Sequence, residues 1–303
     1  MEGAHAYRWL TAVAVVAVLG GCDPERPSTG AFDAGGASDA VNAEARGDGD
    51  AGTVAFGRGN GTGKMDGVWM LVHQRSNCVL GTEQVSRTVY RVRIRQEGKT
   101  LVEERELCST DIGRVAGVTV DAPRSVVESV SFPRVDRGLV SNVRAGSQYV
   151  SSTEVALWGL DLSDPATASL PAEGDDPAVV DADGDGNPGI TFLVNGGSCE
   201  RYAGQRDLIR YVGQFETPTL IRGRSTASTD LKVYGATDSF CSDAPPVVAN
   251  DAASEFALAR IDGRGGAPDA DRDGDDEIAC EEIRRLPDER LIEPREPEDE
   301  RCE

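Results

Sequence analysis

The sequence predicts an all-β protein, an antiparallel barrel or sandwich. Three observations carry this. Short runs of alternating apolar and polar residues recur from residue 65 onward. Gly, Pro, Asp and Ser separate them, in a chain of 303 residues with 35 Gly and 15 Pro. No long amphipathic helix interrupts them. Alternation with period two marks half-buried strands, and close turn spacing marks sheets joined by hairpins.

The runs are taken in order. "GVWMLVHQ" from Gly67 alternates as a first strand. "TVYRVRIRQEGKTLVEEREL" reads as a hairpin with its turn at "EGKT". Tyr90, Val92 and Ile94 face one side, and Arg91, Arg93 and Arg95 the other, opposite Glu103, Glu104 and Glu106. Such an exposed charge ladder adds little energy. Further strands are expected at "AGVTV", "RSVVESVSF", "EVALWGLDL", "ITFLV", "DLIRYVGQFE", "TLIRGR", "DLKVYGA" and "EFALARID". The β domain spans 65–265. One short C-terminal helix is expected at "EIACEEIRRL", with Ile278, Ile283 and Leu286 on one side and Pro287 as its stop. Residues 287–303, acidic and proline-containing, read as a loose tail pinned only by Cys302.

The N-terminus reads as a leader. Arg8 precedes the apolar run "WLTAVAVVAVLGG", which suits a signal-peptide core better than a membrane span. The run ends in Leu19-Gly20-Gly21-Cys22. Here the sequence resembles a bacterial lipoprotein precursor, with residues 1–21 as the signal peptide. The resemblance implies cleavage before Cys22, a diacylglycerol on its thiol, and a membrane partner held by acyl chains. It implies export to the inner or outer membrane, periplasmic or at the cell surface. Asp23 favours inner-membrane retention in enteric bacteria, and other lineages sort differently. Residues 22–64 follow as a lipid-anchored, disordered linker, too poor in large apolar groups to offset its ordering entropy. As a flexible coil it reaches roughly 35 Å. Within it "GRGNGTGKM" fails as a phosphate loop, because Arg58 and Met65 stand where Gly and Ser/Thr are required.

The net charge of −21 excludes a nucleic-acid partner, which needs a basic surface, and favours cations. Seven cysteines less Cys22 leave Cys78, Cys108, Cys199, Cys241, Cys280 and Cys302. An even set in an exported chain suggests three disulfides. Sequence leaves fifteen pairings open; pairing of neighbours, 78 with 108, 199 with 241 and 280 with 302, is the simplest. Gly67-Val68-Trp69, Thr237-Asp238 and Arg260 resemble, in order, the signature residues of lipocalins. That resemblance implies a closed antiparallel barrel with Arg260 packed over Trp69 at its base.

Two acidic stretches carry the candidate metal ligands. In "DADGDGNPGITF", Asp181, Asp183 and Asp185 fill positions one, three and five of a twelve-residue loop at 181–192. Gly186 follows at six, and Asn187 offers a backbone carbonyl at seven. Alternating carboxylates ahead of a tight glycine turn suit calcium, a hard cation that takes six to eight oxygens. The loop resembles EF-hand loops for half its length. It departs where Phe192 replaces the bidentate Glu, and where a strand rather than a helix follows. The second stretch, "DADRDGDDEIACEE", lies in an acidic, calcium-loop-like segment spanning 266–303 and offers Asp269, Asp271, Asp273, Asp275 and Glu282. No single register meets the full loop pattern: counting from Asp271 puts Glu282 at twelve but Asp276 at the glycine position. Calcium is expected in a structural role, offsetting clustered charge.

Zinc is disfavoured, because the chain after Cys22 has one histidine, His73. Its parity with Trp69 and Leu71 reads as a packed residue, not a general base. No catalytic residues emerge. The expected function is a non-catalytic binding module of the cell envelope, with a small apolar or surface ligand as partner. The alternatives are a carboxylate-based, glycosidase-like hydrolase and a structural envelope protein.

Overall fold

Alternation sets the first strands. In β1 (Gly67–Val79), Trp69, Leu71, His73 and Arg75 point inward, while Met70 and Val72 face a second apolar layer. Both faces are therefore buried, which is why β1 shows so few exposed polar residues. Leu80 and Gly81 turn the chain with φ of 53° and 78°, the left-handed pair that matches the twist of a tight hairpin. β2 (Thr82–Glu97) returns beside β1, and β3 (Thr100–Asp111) completes an antiparallel meander.

This computed structural model describes residues 64–302 apart from residue 116, all within one compact unit. The signal peptide, Cys22 and nearly all of the linker lie outside the described residues. Beyond the meander come β4 (Arg114–Val115), β5 (Val118–Asp121) and the helix α1 (Arg124–Ser129). Next are β6 (Asp136–Val140), β7 (Gln148–Ser151), β8 (Glu154–Trp158) and β9 (Ile190–Val194). Two long strands follow, β10 (Cys199–Thr217) and β11 (Leu220–Ala236), and then β12 (Val247–Ala249), β13 (Glu255–Arg260) and the one-turn helix α2 (Cys280–Ile283). The protein is mostly β, and the named strands pair antiparallel throughout, nearly all in one large sheet. The neighbours run β11-β13-β1-β2-β3-β6-β7-β10, and β10 pairs β11 again, so the pairings return to their start. One edge of β10 is served in turn by β9, β8 and β7.

At one end of this circuit, the Arg260 guanidinium lies 5.5 Å from the centre of the Trp69 ring, and the two residues are register partners. Trp69 donates its indole N–H to the Met65 carbonyl at 2.8 Å, and Arg260 donates to the Lys64 carbonyl and to Asp262. Thr237 and Asp238 stand elsewhere, and Asp238 caps a 3-10 turn at Ser239–Cys241. Gly213 and Gly223 face each other across β10 and β11, and a Cβ on either would meet the Phe256 ring at 2.8 Å.

Four expectations are corrected. "RSVVESVSF" forms α1 rather than a strand. Val126 and Val127 are both buried, and a helical turn tucks two adjacent valines under one cover where a strand would send them apart. Glu103 does not join an outer charge ladder. It lies opposite Ile94 and shares that residue's inward parity, whereas Arg91 meets Glu106 outside. The tail 287–303 is not loose: Arg87 pairs Asp288, Arg295 grips Glu83, and both contacts lie along the outer face of β2.

The disulfides join Cys78 to Cys302, Cys108 to Cys280 and Cys199 to Cys241, so neighbour pairing holds only for the last. Cys78 lies opposite Glu83, whereas Cys108 sits at a bulge opposite Val89 and Tyr90. Six residues of β2 separate those positions, about 20 Å at roughly 3.4 Å per residue. The C-terminal segment crosses this face, and its apolar side chains Ile278, Ile283 and Ile292 pack on Met70, Val72 and Val89. Peptide mapping of unreduced protein is expected to yield linked 108–280 and 78–302 peptides; a 78–108 peptide would contradict this layout.

Candidate functional site

Midway along the circuit, alternation places charged residues inside. Arg105 on β3 is 1% exposed and meets Glu103, Asp136 and Glu154, of which both glutamates are fully buried. Tyr149 donates its hydroxyl to Glu103 at 3.1 Å, and the guanidinium stacks 4.8 Å from the Tyr211 ring centre. Burial works against the charge on Arg105, but the carboxylates of Glu154 and Glu103 outweigh it and hold its pKa well above the usual value. One cation faces three carboxylates. Burial, opposed by Arg105 and helped by the neighbouring carboxylates, pushes Glu154 up to about 7 and Asp136 to about 6. These two keep protons in the fold at a pH where the unfolded chain has lost them. Their contribution to stability is full in acid and fades as pH rises through 6 to 7.

Beyond this layer, away from Trp69, opens a cavity of about 160 Å³. Trp158, Phe192, Tyr90 and Ile209 form an apolar wall, with the Trp158 and Phe192 rings 6.3 Å apart. Thr88, Thr110, Gln84 and Asn77 line a polar side. The charged residues at its surface are Arg75, Arg201 and Asp207. Asp207 is well supplied with donors. It accepts from Arg75 Nη1 at 3.1 Å, Trp158 Nε1 at 3.0 Å and Gln205 Nε2 at 2.7 Å, and from the Thr229 hydroxyl. Arg201 is held by the carbonyls of Cys241 and Asp243. His73 lies at the cavity floor, its Nε2 2.7 Å from Ser225 Oγ and its ring edge-on to Tyr211. Burial, with Arg75 and Arg105 adding to it, lowers the His73 pKa to about 3. The packed histidine expected from strand parity is what the interior holds.

The acidic loops build two similar clusters. Asp181, Asp183 and Asp185 place ligand oxygens within 4.8 Å of one another, and so do Asp271, Asp273 and Asp275. In the first, Asp181 accepts from the N–H groups of Gly184, Asp185 and Gly186, which folds the loop around its carboxylate. Thr191 donates its N–H to Asp183 and its hydroxyl to Asp185. Asp183 Oδ1 is buried and meets no hydrogen-bond partner. Burial, and then the charges of Asp185 and Asp181, raise the Asp183 pKa despite the Thr191 N–H. Asn187 donates its N–H to Asp185 and stands outside the triplet. Phe192, at the twelfth position, turns away into the cavity wall.

The second loop adopts the register counted from Asp271. Asp271 accepts from Gly274 and Asp276, as Asp181 does from Gly184 and Gly186. Asp276 has a left-handed φ of 71°, matching Gly186 at 88°. An aspartate thus takes the glycine position, a conformation Asp tolerates better than most residues. Glu282 is buried, and its carboxylate accepts from the N–H groups of Arg272 and Ala279, closing the loop onto α2. Asp269 accepts from the Asp271 N–H and lies outside the triplet.

Sequence reasoning missed Arg75, Asp207 and the Arg105 layer. The signal was present, since Arg75 follows His73 by two residues on an inward face. No protein-family model, curated protein or solved structure matches the chain.

NMR of the His73 imidazole tests the interior. The ring is expected to stay neutral from pH 8 to about 4 while an unfolded histidine protonates near 6.5. Its contribution to stability is therefore complete above 6.5 and is lost as pH falls toward 3. A midpoint near 6.5 in the folded protein would contradict the burial.

Proposed function

We propose that this chain is an exported, lipid-anchored binding protein that holds a small ligand inside a closed antiparallel barrel. The observation that carries the reading is the cavity, walled by Trp158, Phe192 and Tyr90 and backed by the ion-paired layer on Arg105. The eight-strand circuit supports closure, because a circuit without edges is how a barrel avoids unpaired backbone groups. Cys22 carries the anchor, and residues 23–64 let the domain stand off the membrane. A carboxylate-pair hydrolase needs two acids flanking the substrate. The described cavity lining brings one, Asp207, already engaged by four side chains.

Calcium belongs to this reading as a structural ion. The donors are hard oxygens, they converge within 4.8 Å, and buried Asp183 Oδ1 has a free lone pair. Asp181, Asp183 and Asp185 would hold one ion, and Asp271, Asp273 and Asp275 a second. An ion there cancels the mutual repulsion of the carboxylates and favours the folded loop. The first loop runs directly into β9 and Phe192, so ordering it also steadies one cavity wall.

Native mass spectrometry of the full chain in nanodiscs, with and without EDTA, reports ions and co-purified ligand together. At a calcium concentration of about 100 Kd, binding adds roughly 2.7 kcal/mol. Asp183→Ala, which forfeits both this binding and the Thr191 N–H bond, is then expected to lower Tm by about 7–15 °C in calcium. In EDTA the loss should be smaller, about 2–4 °C for the forfeited Thr191 N–H bond. Equal losses would contradict the metal role. Cys22→Ser is expected to release the chain from the membrane fraction and to abolish lipid labelling; a variant that stays labelled overturns the anchor.

A further inference from the structure

The cavity reading can be taken further, to the class of ligand, and this inference rests on that reading. Arg75 is 9% exposed and lines the cavity. One of its nitrogens, Nη1, is committed to Asp207 at 3.1 Å and Thr229 at 2.8 Å. Nε and Nη2 are buried and meet no acceptor in the protein. These two carry the parallel N–H bonds of one guanidinium edge, the arrangement that binds both oxygens of a carboxylate. A buried guanidinium edge without acceptors is costly, so an acceptor placed there gains more than a surface contact would.

The rest of the cavity states what that acceptor is attached to. Asp207 is satisfied without Nε or Nη2, because Trp158, Gln205 and Thr229 also donate to it. Arg201 supplies a second guanidinium, held by the carbonyls of Cys241 and Asp243 and facing the Asp243 charge. The lining itself thus carries two guanidinium groups and one carboxylate, in a chain whose net charge is −21. The same lining carries the rings of Trp158, Phe192 and Tyr90. The volume of about 160 Å³ matches one small ring; an apolar cavity of roughly 150 Å³ takes benzene. We propose that the cavity binds a small aromatic carboxylate, its ring on the Trp158–Phe192 wall and its carboxylate drawn to the Arg75 guanidinium.

Calorimetry on the full chain in nanodiscs tests this, with empty nanodiscs as blank. The probes are benzoate, its neutral analogue benzamide, and acetate. Benzoate is expected to bind at least about tenfold more tightly than either, the effect of one charge-assisted bidentate contact. Arg75→Gln should erase the preference for benzoate over benzamide. Because that change leaves Asp207 without its cation, the double variant Arg75→Gln/Asp207→Asn is measured as well, and it should behave the same with benzamide affinity held within about twofold. Equal binding of benzoate and benzamide to the natural chain overturns the carboxylate assignment and leaves the cavity a ligand site. A preference that survives both variants overturns the role of Arg75. Acetate binding as well as benzoate overturns the aromatic half. Failure of all three probes at millimolar concentration overturns both this inference and the binding reading beneath it.

Discussion

The interior depends on one guanidinium. Arg105 stands inside the strand circuit with Glu103, Glu154 and Asp136 around it, in a place where water cannot share the work of solvation. Removing a single member of such a group strands a charge in low dielectric and costs far more than the group contributes when whole. The cluster answers its own imbalance by keeping Glu154 and Asp136 readily protonated, with pKa values raised to about 7 and 6. It also divides the interior. On one side Trp69, Ile94, Leu101, Phe215, Ile221 and Leu258 pack without solvent, closed by Arg260. On the other lies the cavity. A core filled with hydrocarbon alone would have no such floor and no polar group to orient a guest.

The outside is organised by the C-terminal segment. It returns over β1 and β2, buries their outer apolar face, and is tied at Cys108 and Cys78. The two acidic loops share one local design: an aspartate folds the backbone around itself, and left-handed residues follow at the same offsets. One loop continues into β9 and the other into α2. Each therefore fixes where a packed element begins, which is where a bound cation would have most effect on order.

Much of this was legible because period two is a strong signal. It gave the meander of β1, β2 and β3 and the inward His73, while the packing of Arg260 over Trp69 was implied by the lipocalin resemblance. The aspartate triplets were legible from spacing, and the structure then chose the register of the second loop by putting Asp276 into a left-handed conformation. Helix α1 was not legible, since two adjacent valines fit a buried strand as well as a helical turn. Two of the three disulfides were not legible either, because their partners depend on how a distant segment crosses the sheet. Arg75 and Asp207 were hidden by habit: a charged residue on an alternating strand is read as outward, and only strand parity carried two residues past His73 places it inside.

The central claim is that one compartment of the interior admits a guest and the other does not. Methyl NMR of the intact chain during titration with small aromatic fragments measures this directly. Shifts are expected at Ile209, Val120 and Leu231, which line the cavity, and silence at Ile94, Leu101 and Leu258 beneath the Arg105 layer. Shifts spread evenly over both sets, or absent from both, would contradict it.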